Sequence, residues 1–426
     1  MTETAGLASA LASRLRALWD TEAEVTGVGL LPGGASRESW DVRVRTAAGA
    51  ERRCILLREA GGRAPYPDKD AAVEAAVMTA ARRAGVPVAE IYDYGTGDQQ
   101  RALGRAYLLM EYLDGETIPR RLLRDEAYAA ARPRLARRLG EVLARIHQVD
   151  PDSIPGLPRV DALVHGDFRT GNLMVGADGL HGVLDWELAH RGDPRQDLGW
   201  LCTKAWRFGS ASPVGGFGAR ADLMAGYAAG GGTPPDEQTQ RWWELYGTVR
   251  WALLCRRQAE RYLADGEPSI ELAVLGRRVC EQEYDTLLAL GHAAPLAVTD
   301  PLENHERRAA IPHDRPAGSE LLRAVREFLT TEVGVGADPD PRLRFHARVA
   351  ANALRIAERE AMLATAHAEN HRARLAALGC EDDAALCARI REGSLDHRFE
   401  EVVEAVRAAT VDKLTVANPG HLSVPG

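Results

Sequence analysis

Apolar residues recur at three- and four-residue steps over positions 7–19 and predict an amphipathic helix at the start of the chain. Alternating, β-branched segments follow at 25–31, 39–45 and 53–58, interrupted by Gly33-Gly34 and by Ala47-Ala48-Gly49, and they predict an antiparallel meander. Residues 70–84 read as a helix stopped by Gly85 and Pro87. Two further strands flank the turn at Gly95-Thr96-Gly97-Asp98, the second over 106–112. From 118 to 147 the period becomes helical, with Leu122, Ala129, Leu135, Leu139, Leu143 and Ile146 as the apolar stripe. Short strands return near Leu163-Val164, Leu173-Met174-Val175 and Gly182-Val183-Leu184, and the chain then reads as helical to about Ala289. Residues 295–318 carry Pro295, Pro301, Pro312 and Pro316 without periodicity, as a linker does. A long helix is expected from Pro341, with Leu343, Ala347, Ala350, Leu354 and Ala357 on one face.

Composition narrows the function classes. A chain of 426 residues suggests about three folding units. A net charge of −8 argues against a general nucleic-acid or anionic-membrane surface. No run of apolar residues is long enough for a membrane helix, and the acidic first residues lack a basic leader, so a cytoplasmic protein is expected. The six cysteines form no C-x-x-C pair and are expected as buried free thiols. Lysine occurs only at Lys69, Lys204 and Lys413, so almost every cation is arginine.

The segment from Val164 to Val175, followed by Gly182-Val183-Leu184-Asp185-Trp186-Glu187, carries the chemistry. Asn172 lies five residues after Asp167, and Asp185 eighteen after it. A strand-loop-strand hairpin would bring the three to one edge. There one carboxylate can orient a hydroxyl and accept its proton, while an amide oxygen and a second carboxylate offer hard ligands for Mg²⁺ carrying a nucleotide triphosphate. The bland alternative is that all three merely cap turns.

This arrangement resembles the catalytic and metal-binding loops of the aminoglycoside phosphotransferase branch of protein-kinase-like enzymes. His165-Gly166-Asp167 stands where protein kinases have His-Arg-Asp, and Gly192-Asp193-Pro194-Arg195-Gln196-Asp197-Leu198 also resembles this branch. The resemblance implies an α+β, bilobal fold with an antiparallel-sheet N-lobe and a mainly helical C-lobe, to which an all-α module is added at the C-terminus. It implies Asp167 as the base, Asn172 and Asp185 as Mg²⁺ ligands, Arg169 as a cation beside the transferred phosphate, and His165 and Asp197 as supports of the loop.

Other positions follow from the same resemblance. The hairpin at 32–40 would cover the phosphates, with Ser36 or Ser39 contributing a hydroxyl. Arg58 ends the third strand where protein kinases carry lysine, as in the phosphotransferase domains fused to acyl-CoA dehydrogenases. It would grip the α- and β-phosphates, with Glu74 as its ion-pair partner. The hinge would run from Met110 through Glu111 and Leu113 to Gly115. His147 is expected to be a satisfied helix histidine. Trp200, Trp206, Arg207, Arg250 and Trp251 fall where this branch builds its acceptor pocket, and with Arg220 and Arg241 they favour an anionic or acyl-bearing alcohol such as a hydroxyacyl-CoA.

The domain reading is an N-lobe at 1–113, a C-lobe at 114–294, a linker at 295–318 and a helical domain at 319–426. The C-terminal part resembles an uncharacterised helical domain found with such phosphotransferases. There Arg344, His346 and Arg348 make either an anion site or a solvated face. The functional expectation is an ATP- and Mg²⁺-dependent phosphotransferase acting on a small-molecule hydroxyl, with no nucleic-acid or membrane partner. An aminoglycoside or sugar kinase, and a nucleotide-binding module without phosphotransfer, remain the alternatives.

Overall fold

The computed structural model describes residues 3–19, 22–31, 37–46, 49–59, 71–96, 103–154, 162–264, 269–303, 322–323, 325–327, 329–333 and 341–424. Ser36 with the rest of the hairpin tip, Lys69 and residues 304–318 of the expected linker lie outside them. Packing divides the chain into two compact units, Met1–Gly247 and Thr248–Gly426.

The first unit opens with helix α1 (Glu3–Trp19) and strands β1 (Glu24–Leu30), β2 (Arg37–Arg45) and β3 (Glu51–Glu59). Helix α2 (Ala71–Arg83) and strands β4 (Ile91–Gly95) and β5 (Tyr107–Glu111) follow. The strands form one antiparallel sheet in the order β1-β2-β3-β5-β4. Its two faces follow from the two-residue period of a strand. Cys54 and Leu56 of β3 join Trp40, Val42 and Val44 of β2 in a core closed by Leu7, Leu11 and Leu15 of α1. Ile55 and Leu57 point the other way and pack with Ala75, Val77 and Met78 of α2. Arg14 of α1 adds a bidentate ion pair to Asp93 of β4, at 2.7 and 2.8 Å, and Tyr107 donates its hydroxyl to the same carboxylate.

The stretch expected to be helical over 118–147 is broken into α3 (Pro119–Arg124), a 3₁₀ turn at Glu126–Tyr128, and α4 (Arg132–His147). Pro133 falls in the first turn of α4, where its missing N–H costs nothing and where it discourages continuation from upstream. Two small ribbons come next: β6 (Ala162–Val164) with β9 (His190–Gly192), and β7 (Leu173–Gly176) with β8 (Gly179–Val183). Helices α5 (Arg195–Cys202), α6 (Arg220–Ala229) and α7 (Glu237–Leu263) complete this part, but 203–219 is not continuously helical: it carries positive φ at Phe208, Gly209, Gly215 and Gly216. This unit is therefore an α+β, bilobal, protein-kinase-like arrangement, with a sheet lobe and a helical lobe.

The second unit is helical, comprising the rest of α7, α8 (Ile270–Leu275), α9 (Val279–Ala289), α10 (Pro341–Ala377), α11 (Asp383–Arg391) and α12 (Phe399–Ala417). Its cores gather Leu375, Leu378, Leu386, Leu395 and Val402, and separately Cys280, Tyr284, Leu414 and Leu422. His346 pairs with Glu271 at 3.1 Å. Five of the six cysteines are buried, and Cys387 is exposed. Among the described residues, no helix is long and apolar enough to cross a membrane.

Candidate active site

The loop from Val164 to Leu173 is held at both ends by the ribbons, and Leu184 N–H donates to Asn172 O at 2.8 Å, which joins the loop to the Asp185 turn. His165, fully buried, adds a second tie. Its Nε2 donates to Leu184 O at 3.1 Å, while its Nδ1 accepts from Asp167 N–H at 3.2 Å. Burial pushes its pKa below the usual value against the pull of Asp197 and Asp167, which suits the neutral tautomer that this bonding pattern requires.

Gly166 between them has φ 82°, and a Cβ there would stand 2.3 Å from Leu188 O, so the position accepts only glycine. Asp197 on α5 braces the turn: its carboxylate accepts from His165 N–H at 2.7 Å and Gly166 N–H at 2.9 Å. His147 Nε2 donates to the same group at 3.2 Å and takes Tyr227 OH on its other nitrogen at 2.8 Å. Burial pushes the pKa of Asp197 up, but the His147 hydrogen bond, the favourable electrostatics of the two imidazoles beside it and the His165 amide hold it below the ordinary carboxylate range. His147 is thus satisfied within the helical core, and it serves the loop through Asp197.

Asp167 is gripped on both oxygens. Trp200 Nε1 donates to Oδ1 at 2.9 Å, Asn172 Nδ2 to Oδ2 at 2.7 Å, and Arg169 Nε lies 3.1 Å from each. Asn172 Nδ2 also donates to Asp167 O at 2.9 Å. Only the amide nitrogen can donate twice, so Oδ1 of Asn172 is left as an acceptor. The Arg169 guanidinium lies 4.9 Å over the ring of Trp206.

Asp185 is left-handed (φ 63°, ψ 64°), a region Asp tolerates better than most residues, and it opens the 3₁₀ turn Trp186–Leu188. Crowding away from water and the carboxylates of Glu187 and Asp167 push its pKa up to about 7, opposed by Arg37 and Arg169. Its side chain still keeps 37% of its surface exposed, enough to meet a cation. Glu187, given no role of its own by the sequence, joins this acidic group through the D-W-E spacing.

The donors fit Mg²⁺, which usually takes one or two carboxylates and completes its shell with water and substrate phosphates. Asp185 offers one carboxylate of that kind, and Asn172 Oδ1 a neutral amide oxygen beside it. Among the described residues no group of three or more His, Cys, Asp and Glu side chains is arranged to hold a metal unaided.

Two expectations are corrected in the sheet lobe. Arg58 shares the strand face of Cys54 and Leu56, so it lies 5.5 Å from the Trp40 ring and pairs with its cross-strand neighbour Glu38 at 2.8 Å. Glu38 also receives Trp40 Nε1 and Arg105. Glu74, expected to pair with Arg58, instead binds Arg37 on both oxygens, at 2.7 and 3.0 Å. Arg37 Nη2 further lies 3.5 Å from Glu187 and 3.8 Å from Asp185.

At the hinge, Glu111 uses its amide on Glu90 O, and its carboxylate accepts from Glu90 N–H and Arg82. Leu113 lies over β8, where a Cβ on Gly182 would meet its Cδ1 at 2.3 Å.

The expected acceptor cluster is also revised. Trp200 is buried against Asp167. Arg207 donates to Cys202 O, Arg207 and Arg220 both converge on Glu244, and Arg241 pairs with Glu237. These arginines do not form a set aside for an anionic ligand.

A sheet lobe, a helical lobe, and a looped aspartate bonded to an asparagine five residues on define a kinase-type phosphotransferase. Residues 30–159 and 155–243 match the sequence profile described as the phosphotransferase enzyme family, spanning about half of the chain, and the chain belongs to that family. Residues 338–421 match a domain of unknown function, DUF6285.

Acyl-CoA dehydrogenase family member 10 of Mus musculus is 26% identical across 42% of this chain, which spans only 20% of that protein's length. Among solved structures, a Ralstonia eutropha JMP134 protein provisionally assigned as an aminoglycoside phosphotransferase is 19% identical, with 66% of this chain and 96% of that one covered at a TM-score of 0.47. Macrolide 2'-phosphotransferase MphH of Brachybacterium faecium is 18% identical, with 68% and 100% covered at 0.42. These likenesses accompany the family assignment and do not carry it.

Proposed function

We propose that the protein transfers the γ-phosphoryl group of ATP to the hydroxyl of a small molecule. The observation that carries this reading is the Asp167 carboxylate, fixed by Trp200, Arg169 and Asn172 with Asp185 nearby. A carboxylate so held accepts the proton of an attacking hydroxyl and keeps that oxygen aimed at the phosphorus. Arg169, 4.9 Å over the Trp206 ring, offers its remaining N–H groups to the phosphoryl oxygens. Mg²⁺ held by Asn172 Oδ1 and Asp185 would supply neutralisation of phosphate charge.

In this reading residues 1–113 receive the nucleotide and 114–294 the acceptor. Because Arg207, Arg220 and Arg241 are matched to acids and carbonyls of their own lobe, the acceptor is proposed only as an alcohol, without the anionic character the sequence suggested.

The test is acceptor-dependent ADP release with hydroxyacyl-CoA, sugar, choline-like and aminoglycoside alcohols. Asp167→Asn should abolish it while circular dichroism stays unchanged. Undiminished turnover in that variant would count against the assignment.

A further inference from the structure

Resting on the phosphotransfer reading above, we propose that Arg37 is the residue that grips the nucleotide phosphates. In the structure it stands as counter-ion to the Asp185–Glu187 acids. The argument begins with strand parity. On β2, Trp40, Val42 and Val44 face the core under α1, and Glu38 shares their parity. Arg37 has the opposite parity and reaches the α2 side, where its fork is spanned by Glu74 at 2.7 and 3.0 Å. Arg58 has the parity of the α1 side and is engaged by Glu38.

Position supplies the rest. Arg37 lies within the 32–40 segment expected over the phosphates, and its Nη2 is 3.5 Å from Glu187 and 3.8 Å from Asp185. A guanidinium held from behind by one carboxylate presents its outer edge to whatever lies in front. In the structure that is the acid pair; were Mg²⁺ to neutralise the acids, the same edge would be open to phosphate oxygens. One cation thus serves two anionic partners in turn, and its removal should act on them in opposite directions.

The experiment measures, on the full chain, the affinity for MgATP and, separately, for Mg²⁺ alone by calorimetry. In R37Q the MgATP affinity should fall by about tenfold or more, the weight of a lost charge-assisted bond. Mg²⁺ alone should bind several-fold tighter, because a competing positive charge has gone. R37K keeps the charge without the fork, so it should weaken MgATP binding and leave Mg²⁺ affinity near that of the wild type. It also keeps the test open if R37Q folds poorly.

Unchanged MgATP affinity in R37Q and R37K would overturn the proposal, as would weaker Mg²⁺ binding in a folded R37Q. A larger loss of MgATP affinity in R58Q than in R37Q would return the role to strand β3 and overturn it as well. Wild-type protein that binds no MgATP would sink the phosphotransfer reading, and this inference with it.

Discussion

The indole of Trp200 donates a 2.9 Å hydrogen bond to Oδ1 of Asp167 across 33 positions of sequence. The indole is buried, so its N–H has no water to fall back on, and the carboxylate is oriented by a group that cannot move without disturbing the helical core.

Trp200→Phe keeps most of the packing and deletes that donor. Losing a hydrogen bond to a charged group costs about 1.5–3 kcal/mol. In the proposed reaction kcat should therefore fall roughly tenfold or more, with KM for ATP nearly unchanged, since Trp200 positions the base and does not touch the nucleotide. Steady-state kinetics check this, and an effect on KM alone would contradict it.

Burial and the neighbouring acids push the pKa of Asp185 up to about 7 from an ordinary 3.8, so the folded protein holds this proton more tightly than the unfolded chain does. Its contribution to stability is therefore complete below about pH 4 and is lost as pH rises through 7. Asp185→Asn removes that penalty: without Mg²⁺ its melting point should exceed the wild type's by more at pH 8 than at pH 5, and the two should converge near pH 4. As 37% of the side chain is exposed, about 1 kcal/mol is expected, or roughly 2–4 °C. Thermal melts at the two pH values decide it. Mg²⁺ should also bind the wild type more weakly at pH 6 than at pH 8, because it competes with that proton.

Asp197 has the opposite sign. Its pKa is lowered, so its contribution is present above the ordinary carboxylate pKa and disappears only in strong acid. Asp197→Asn should cost about 3 kcal/mol throughout pH 5–8, because an amide offers one acceptor where the His165 and Gly166 amides need two, and its NH₂ faces a donor. Urea unfolding at pH 5 and pH 8 should show the same gap. A gap that closes at pH 5 would mean the carboxylate is not held as described.

Gly166→Ala tests the turn itself. With φ at 82° and Leu188 O at 2.3 Å from the added Cβ, the loop must shift, and a loss of at least about 2 kcal/mol is expected together with loss of turnover. A variant as stable and active as the wild type would show that the turn is not fixed where Leu188 meets it.

Much of this was legible from the sequence because it is local. Period-two and period-three-to-four patterns placed the sheet strands and most helices, and the short offsets among Asp167, Asn172 and Asp185 are spanned by ribbons whose turns lie in the same segment. His165 and Asp197 followed from their place in the motif.

What the sequence could not decide is which distant charges meet. From the sequence Glu74 pairs with Arg58; that its partner is Arg37 depends on the side of the sheet on which α2 packs. The arginines after Asp197 look like an anion site until α7 brings Glu244 and Glu237 to them. Trp200 reads as part of an acceptor pocket until α5 turns its N–H onto Asp167. Hydrophobic patterning acts along the chain and fixes elements. Ion pairs and hydrogen bonds act across space, so their partners exist only once those elements have packed.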